Sequence, residues 1–426
     1  MSTENWNDRN QRRGAAVLLE VLRSEGARYV FGNPGTTELP LIDAFVDAAD
    51  IHYVLALQEA SAVAMADGYA QAASRPGVLN LHTTGGLGHG LGNLLNAHVS
   101  GTPLVVTAGQ QDSRHTLTDP LLYGDLVSIA TPAVKWAQEV THPDQIPILV
   151  RRAFHDCQTA PTGPVFLSLP MDIMEEMTAV DIGEVSTIDR AAVAGSLAHL
   201  AEYLVAIPPG KLAIIAGDEI STSNAAAETV LLADALGAPV YGSSWPAHIP
   251  FPTAHPLWMG NLPTKATEIA QKLHSYDAIF ALGGKSLITI LYTKGSAVPP
   301  GVQIFQLSAD ARDLGRTYST KLALVGDIKA SLRALLPLLT PKLAERREAY
   351  AALREAAERE QKARRDQLKI AADAEFDKPV TTPLVAGREM ALAIGPEVAI
   401  VDEAPATFGA LRAFLRVCPG TSSWIA

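Results

Sequence analysis

The stretch YVLALQEASAVAMADGYAQA, Tyr53 to Ala72, decides the fold of the first part of the chain. Its opening residues, up to Leu57, are apolar, β-branched or aromatic and predict a buried strand, and the alanine-rich segment from Ala60 to Gln71 predicts a helix. A carboxylate, Glu59, lies at the junction. Open parallel sheets bind ligands at the carboxyl ends of their strands, where this junction would lie. Alternatively, a carboxylate in the first helical turn can simply interact favourably with the helix dipole.

Two further segments have the same organisation. FGNPGTTELP, Phe31 to Pro40, is typical of a strand followed by an Asn-Pro-Gly turn and helix-capping threonines. NLHTTGGLGHGLGN, Asn80 to Asn93, predicts a strand that ends at His82 and a glycine-rich turn that opens a helix. Three successive strands therefore end in a polar group and a tight turn.

The bulk properties limit the function classes. A chain of 426 residues exceeds what one hydrophobic core usually holds, which predicts two or three domains. A net charge of −11 argues against nucleic acid as a partner, and no apolar run approaches the length of a membrane span. Cys157 and Cys418 lie far apart, which argues against a disulfide framework and predicts a cytoplasmic location. The polar start, residues 1–13, is no secretory signal, and we expect a loose tail.

Apolar strands alternate with helices in two regions, which predicts an α/β fold of parallel sheets with helices on both faces. In the first region we predict strands near 29–31, 51–57, 78–82, 104–108 and 165–169, and helices near 15–24, 37–46, 59–71, 87–99 and 145–158. In the second we predict strands at 211–216, 239–241, 278–282 and 303–307, and a helix at 224–236.

The three motifs, in this order and spacing, resemble the pyrimidine-binding domain of thiamine-diphosphate-dependent decarboxylases, the benzoylformate decarboxylases in particular. The similarity lies in GNPG at 32–35, LALQEA at 55–60, NLH at 80–82 and TAGQQ at 107–111, and it extends from about Ala27 to near the C-terminus. The resemblance implies thiamine diphosphate and Mg²⁺ as cofactors. It also implies non-oxidative decarboxylation of a 2-keto acid to an aldehyde and carbon dioxide.

The resemblance assigns a role to Glu59. In that family the matching glutamate hydrogen-bonds N1′ of the aminopyrimidine ring of the cofactor. A carboxyl group shares a proton well with a ring nitrogen when burial has raised the pKa of that carboxyl group. Aspartate would be one methylene too short to reach the ring. The cofactor-binding residues that the resemblance implies are Asn33, Pro34, Gly35, Glu59, His82 and His89.

Two other side chains are implied to act on the substrate. His82 matches a histidine that transfers protons, work that suits imidazole because its ordinary pKa lies near neutrality. Thr36 matches a serine that contacts the substrate carboxylate, and helix capping is its alternative role. Both roles could also be filled at once, with Thr37 capping the helix and Thr36 binding the carboxylate. The tract from Gln110 to Tyr123 is polar and irregular, and we expect it to border the site.

The chain departs from the family pattern in its second region. An ungapped match places Ile290, within ALGGKSLITILY at 281–292, where benzoylformate decarboxylases carry a second active-site histidine. Either that role is absent, or Tyr292 or His248 covers it, or the substrate chemistry differs. In acetolactate synthases this region holds a flavin, but AGDEIS at 216–221 is a poor dinucleotide loop.

The resemblance also implies the domain plan. A pyrimidine-binding domain occupies 14–180, a central Rossmann-like domain 190–340, an exposed linker helix 341–376, and the beginning of a diphosphate-binding domain 377–426. The Gly-Asp-Gly motif that holds Mg²⁺ in relatives does not occur, and Asp402 with Glu403 is a weak metal signal. We therefore assign no metal ligand here and expect Mg²⁺ to be bound in a missing part of the third domain.

Several alternatives stay open. The chain can be a fragment of a longer enzyme, one half of a split enzyme, or a non-catalytic relic, and we favour the fragment because the sequence ends inside a domain. The alternative activities are an acetolactate-synthase-like carboligase and a scaffold or regulatory paralogue without a metal site. By resemblance we expect a homo-oligomer, a dimer or a homotetramer.

Overall fold

A computed structural model describes residues 11–395, 398, 400–404, 407–416 and 424–425. The chain divides into two compact units, Met1–Ile188 and Asp189–Ala426. Residues 1–10 of the predicted tail, and Cys418, lie outside the described residues. The rest of that prediction is wrong, because Arg12 and Arg13 pair with Thr178 and Met177 in a short antiparallel ladder. No helix in the described ranges is both long and apolar enough to cross a bilayer.

The first unit alternates strands and helices. Its strands are β1 Arg12–Arg13, β2 Tyr29–Gly32, β3 His52–Leu55, β4 Gly77–His82, β5 Leu104–Gln110, β6 Ala137–Glu139, β7 Val165–Pro170 and β8 Met177–Thr178. Its helices are α1 Gly14–Ser24, α2 Leu39–Ala44, α3 Glu59–Ala73, α4 Thr83–Ser100, α5 Leu126–Ala130, α6 Ile146–Gln158 and α7 Met171–Glu175. Five of these eight strands are predicted from the sequence, and the three that are not, β1, β6 and β8, have only two or three residues each.

Six strands of this unit form one parallel sheet in the order β3-β2-β4-β5-β7-β6. Alternate residues of each strand face opposite sides. Val78 and Val105 pack with α1 and α6, and Leu79 and Val106 pack with α3 and α4. Both faces are covered, as the apolar strands predict. Successive strands are added on one side of β2 and then on the other, so the strand order reverses between β2 and β4. Sheets of this kind bind ligands at such a switch point.

Two predictions for this unit are wrong. The segment 53–57 is not a buried strand. Among the described residues β3 is an edge strand that ends at Leu55, Leu55 is itself 60% exposed, and Leu57 lies beyond the strand and is 94% exposed. The glycine-rich segment after His82 is not a turn, because α4 begins at Thr83 and runs through it. Glycine costs a helix about 1 kcal/mol relative to alanine, and here close packing compensates. A Cβ on Gly90 would lie 3.1 Å from Val63 Cγ2 of α3.

The second unit is also alternating α/β. Its strands are β9 Leu212–Ala216, β10 Val240–Gly242, β11 Trp258–Asn261, β12 Ala278–Leu282, β13 Gln303–Ser308, β14 Leu322–Val325, β15 Ile400–Val401 and β16 Trp424–Ile425. Its helices are α8 Leu197–Ala206, α9 Glu219–Thr222, α10 Ala226–Leu236, α11 Ala266–Leu273, α12 Ile328–Leu339, α13 Arg347–Glu375, α14 Pro383–Ala393 and α15 Phe408–Phe414.

Six of these strands form a parallel sheet in the order β11-β10-β9-β12-β13-β14. This is the doubly wound order, with its switch point between β9 and β12. The predicted exposed helix is present as α13, which buries only Tyr350, Gln361 and Ala372. Its Arg364 and Arg365 donate to backbone carbonyls of Trp258 and Thr253. The α/β prediction is confirmed in both units.

Candidate active site at the carboxyl edge of the first sheet

The candidate site lies where β2, β4 and β5 end. The turn Asn33 to Gly35 follows β2, His82 is the last residue of β4, and Gly109 is near the end of β5. Glu59 is the first residue of α3, after the edge strand. Because these strands are parallel and neighbouring, their ends meet at the switch point of the sheet.

Glu59 is held by two side chains from different elements. Asn33 Nδ2 donates to Glu59 Oε1 at 3.0 Å, and His89 Nδ1 lies 3.2 Å from Glu59 Oε2. Glu59 is 9% exposed, whereas the His89 side chain is largely in solvent. The structure therefore brings together three of the predicted cofactor-binding residues.

The electrostatics of Glu59 differ from the prediction. Burial is the largest influence and raises the pKa of Glu59, but the hydrogen bonds from its own backbone N–H, Asn33 and His89 together lower that pKa below its ordinary value. Glu59 is therefore ionised at neutral pH. The expectation of a raised pKa is wrong because a site beside an apolar strand is also a helix N-terminus rich in donors.

His82 belongs to a second cluster, built around Glu38. His82 Nδ1 lies 2.7 Å from Glu38 Oε2, and Thr37 Oγ1 donates to Glu38 Oε1 at 3.0 Å. Backbone N–H groups of Gly35 and Gly109 each donate to Glu38 at 2.8 Å. Glu38 is 2% exposed, so a carboxylate with four donors is buried directly beneath the imidazole.

This cluster changes the acid-base properties of His82. The hydrogen bond to Glu38 is the largest influence and raises the pKa of His82, while burial opposes it, and the charges of Glu38 and Glu59 raise it further. Since Glu38 holds Nδ1, proton exchange is left to Nε2, for which no hydrogen bond is recorded among the described residues. A carboxylate that orients and charges an imidazole is a common proton-transfer arrangement.

Sequence reasoning missed Glu38. The only local signal was a carboxylate in the first turn after the Asn-Pro-Gly sequence, which fits capping equally well. Its partners lie 44 and 71 positions away, at His82 and Gly109. Only the sheet topology brings them together.

Two glycines are required by this packing. A Cβ on Gly35 would lie 2.4 Å from His82 Cε1, and a Cβ on Gly109 would lie 2.0 Å from Glu38 Oε1. Both distances are well below van der Waals contact. The backbone approaches the His82–Glu38 pair so closely that any side chain would displace it.

Thr83 carries backbone strain immediately after His82. Its φ is +47°, which is unusual for a β-branched residue, and its buried Oγ1 has no hydrogen-bond partner among the described residues. Such conformations cost about 1–3 kcal/mol and cluster at functional sites. The strained residue redirects the chain from β4 into α4, which places His82 at the edge of the site.

The threonines differ from their predicted roles. Thr36 is exposed, and its side chain makes no hydrogen bond with any described residue, so helix capping by Thr36 is not observed. Thr37 does not cap either, because it is buried against Glu38 and His82. Pro34 lies in the turn between Asn33 and Gly35.

The bordering loop is tied to the site by side chains. Gln110 Nε2 and Gln111 Nε2 donate to the carbonyls of Gly124 and Leu121 at 2.8 Å, and Thr84 Oγ1 donates to Leu122. The predicted irregular tract contains a 3₁₀ turn at Ser113–Thr118. It exposes Leu117 and Leu121 almost completely. The loop thus adds an apolar surface beside the polar cluster.

The proposed replacements for the second histidine lie in the other unit. Tyr292 is 92% exposed, and the backbone N–H of His248 donates to Asp218. No group of three His, Cys, Asp or Glu within the described ranges could hold a metal ion. Asp402 instead accepts a hydrogen bond from Arg412 at 2.9 Å.

Two family models match consecutive parts of the chain. The thiamine pyrophosphate enzyme N-terminal TPP binding domain matches residues 12–142, and the thiamine pyrophosphate enzyme central domain matches residues 198–335. The first match contains Glu38, Glu59, His82 and His89. The chain belongs to the thiamine pyrophosphate enzyme family.

The relatives of this chain are enzymes with two different activities. Benzoylformate decarboxylase of Pseudomonas aeruginosa is 33% identical over 327 residues, 76% of this chain and 61% of the relative. An acetolactate synthase large subunit of Buchnera aphidicola is 27% identical over 332 residues, 76% of this chain and 58% of the relative. The chain thus spans about three fifths of the length of these relatives.

Solved structures agree with this assignment. Benzoylformate decarboxylase from Polynucleobacter necessarius matches with a TM-score of 0.83 and 27% identity, over 97% of this chain and 74% of that one. A thiamine diphosphate-dependent 4-hydroxybenzoylformate decarboxylase of Rhodococcus jostii RHA1 matches with a TM-score of 0.81 and 25% identity, over 97% and 75%.

The residues around Glu59 fit the pyrimidine half of thiamine diphosphate. A carboxylate has roughly four acceptor positions, and each Glu59 oxygen has one recorded side-chain partner, so a ring N–H can still be accepted. The missing side chain of Gly86 leaves room at this point, because a Cβ there would lie 3.5 Å from Glu59 Oε1 and 3.4 Å from His82 Cβ.

Proposed function

We propose that this chain is part of an enzyme that uses thiamine diphosphate to decarboxylate a 2-keto acid of benzoylformate type, giving an aldehyde and carbon dioxide. The observation that carries the proposal is the pair of clusters at one switch point: ionised Glu59 with Asn33 and His89, and His82 held by buried Glu38. The similarity to benzoylformate decarboxylases supports the same reaction.

Glu59 binds and polarises the pyrimidine ring in this proposal. When bound, thiamine diphosphate supplies the carbon nucleophile and the electron sink for loss of carbon dioxide. N1′ of a neutral aminopyrimidine carries no hydrogen, so an ionised Glu59 would favour the imino form of the ring, in which a proton from the 4′-amino group has moved to N1′. The carboxylate would accept that N–H, and charged hydrogen bonds are about twice as strong as neutral ones. Asn33 and His89 orient Glu59 for that contact.

His82 supplies and removes protons. Its raised pKa keeps a larger share of the imidazole protonated near neutral pH, and a decarboxylase must protonate its product. Glu38 holds Nδ1, so the proton moves at Nε2. We assign the exposed hydroxyl of Thr36 to the substrate carboxylate. The proposal also includes Mg²⁺ bound by residues outside those described, a cytoplasmic location, and a homodimer or homotetramer.

The second candidate is an acetolactate-synthase-like carboligase, because acetolactate synthases match a similar share of the chain. Such an enzyme adds a second carbonyl compound instead of a proton at the end of the reaction. The raised pKa of His82 favours the decarboxylase, because that reaction ends in protonation. Product analysis separates the two.

The experiment supplies thiamine diphosphate, Mg²⁺ and either benzoylformate or pyruvate, and identifies the products by chromatography. Benzaldehyde from benzoylformate is the expected result. Acetolactate from pyruvate without any benzaldehyde would overturn the decarboxylase in favour of the carboligase. Cofactor binding without either product would favour the scaffold.

A further inference from the structure

A second cleft lies at the opposite, amino edge of the first sheet. This basic cleft, of about 500 Å³, is formed by Arg23, Arg28, Tyr29, Asp50, His52 and Arg75 with Gly26 and Ala27. Tyr29 and His52 begin β2 and β3, and Arg75 precedes β4. The cleft is therefore at the other end of the strands that lead to the candidate active site.

The charges of the basic cleft are unbalanced. Among the described residues Asp50 is the one carboxylate that lines the cleft, and its Oδ2 already accepts from Arg23 Nε at 2.9 Å. The side chains of Arg28 and Arg75 make no hydrogen bond or ion pair with any residue that the structure describes. The lining of the cleft therefore has a surplus of positive charge, which favours binding of an anion. The surplus is local, since the whole chain has a net charge of −11.

The walls of the basic cleft are built on ordered elements. The backbone N–H of His52 donates to the carbonyl of Arg28 at 2.8 Å, which ties the Arg28 backbone to the start of β3. The Tyr29 ring lies 5.8 Å from the His52 ring and 5.5 Å, edge on, from the Tyr69 ring. Arg23 extends from α1. The cleft thus exists before a ligand binds, which reduces the entropy cost of binding.

We propose that the basic cleft binds a small polyanion that carries phosphate or several carboxylates. Guanidinium groups match both because their N–H donors form paired hydrogen bonds to two oxygens. The volume is in the range of small-molecule sites, which is about 300–1,000 Å³. This site is separate from the proposed decarboxylase site and does not depend on it.

Isothermal titration of inorganic pyrophosphate, and separately of citrate, into the full chain tests the proposal. We expect binding that weakens about tenfold for each of Arg28→Gln and Arg75→Gln, since a hydrogen bond to a charged group is worth about one decade in affinity. Arg152→Gln is the matched control. It removes the same charge from an exposed position on α6 and should leave affinity unchanged.

The outcomes separate the alternatives. Preference for pyrophosphate identifies a phosphate ligand, and equal binding of citrate identifies a general polyanion site. No binding of either ion, or equal losses in the Arg152→Gln control, would overturn the proposal. Loss of pyrophosphate binding in Glu59→Gln but not in Arg28→Gln would also overturn it, because the ion would then bind at the carboxyl edge. Failure of the decarboxylase proposal affects none of these results.

Discussion

The two units have similar parallel sheets, and in each a glutamate is the first residue of a helix that follows a strand. The pKa values of these two glutamates are shifted in opposite directions. Glu59 in the first unit contacts Asn33 and a solvent-exposed His89, and its pKa is lowered. Glu219 in the second unit is enclosed, accepting from Ser308 Oγ at 2.5 Å and from the Ala309 N–H at 2.7 Å. Burial raises the pKa of Glu219.

The difference follows from the groups that lie at each switch point. In the second unit the backbones of the two strands are joined there, because the Gly217 N–H donates to the Leu282 carbonyl. The Glu219 side chain extends past Gly283 to the end of β13. In the first unit the corresponding crevice is lined by side chains with unused hydrogen-bonding capacity. The first switch point is therefore suited to a ligand, whereas at the second the glutamate is already paired within the protein.

The largest expected effect is on the open edge. Glu59→Gln removes the charge that polarises the cofactor, and we expect turnover of the assembled enzyme to fall roughly 10²- to 10⁴-fold. The matched change Glu219→Gln should leave turnover within a factor of two or so, because Glu219 lies in the other unit. The carboxamide oxygen can accept from the Ala309 N–H while its NH₂ donates to Ser308 Oγ, so that one hydrogen bond is only reversed in direction. Steady-state kinetics with benzoylformate measure both. Equal losses in the two variants would remove the distinction between the edges.

Gly109→Ala tests how tightly the site is packed. The added methyl would meet Glu38 Oε1 and Thr37 Oγ1, so we expect a loss of about 1–3 kcal/mol in the free energy of unfolding. Gly88→Ala in α4 is the control, because a Cβ there meets nothing within 4 Å and alanine favours a helix by up to about 1 kcal/mol. Denaturant unfolding of both variants gives the two values. A stable Gly109→Ala protein would contradict the geometry of Glu38.

Glu38→Gln should lower the pKa of His82 towards its ordinary value of about 6.5. A histidine with a raised pKa stabilises the fold fully below its unfolded pKa, and that contribution is lost as the pH rises through the folded pKa. In Glu38→Gln, where the folded pKa of His82 approaches the unfolded one, this pH-dependent contribution should largely disappear. NMR titration of labelled histidine measures the pKa of His82 in both proteins. An unchanged His82 titration would show that Glu38 does not control the imidazole.

The smallest effect concerns the pH dependence of the two glutamates, which has opposite signs. Glu59, with a lowered pKa, contributes stability above its unfolded pKa that is lost as the pH falls through the folded value. Glu219 has a raised pKa, so its contribution to the stability of the protein is lost as the pH rises from the unfolded pKa of about 4.5 through the folded pKa. Thermal unfolding from pH 4 to 7 should show a flatter profile at the higher pH end for Glu219→Gln. An identical profile would contradict the burial of that charge.

Apolar runs were sufficient to predict the central strands of both sheets and their parallel arrangement, because buried parallel strands are continuous apolar runs. The short edge strands β6, β11 and β14 were not predicted. It also predicted that Glu59 and His82 lie at the same edge. The role of Glu38 was not predictable, because its partners are distant in sequence and only the switch point brings them together. The helical state of α4 was hidden for a similar reason: its glycines disfavour a helix locally, and packing against Val63 and Leu81 decides the outcome.

The lowered pKa of Glu59 also required the structure. Burial alone predicts the opposite direction, and the donors that reverse it come from Asn33 and His89, 26 and 30 positions away. The exposure of Leu55 and Leu57 was not predictable either, because the apolar run does not show that β3 is an edge strand or that it ends at Leu55.

The contact between ionised Glu59 and a ring N–H of the cofactor is the central claim. Isothermal titration of thiamine diphosphate with Mg²⁺, compared with an analogue whose pyrimidine N1′ is replaced by carbon, tests it in wild type and Glu59→Gln. The account predicts that wild type binds thiamine diphosphate at least about tenfold more tightly than the analogue, and that Glu59→Gln loses this preference. Equal affinities for both compounds in wild type, or a preference that survives in Glu59→Gln, would contradict it.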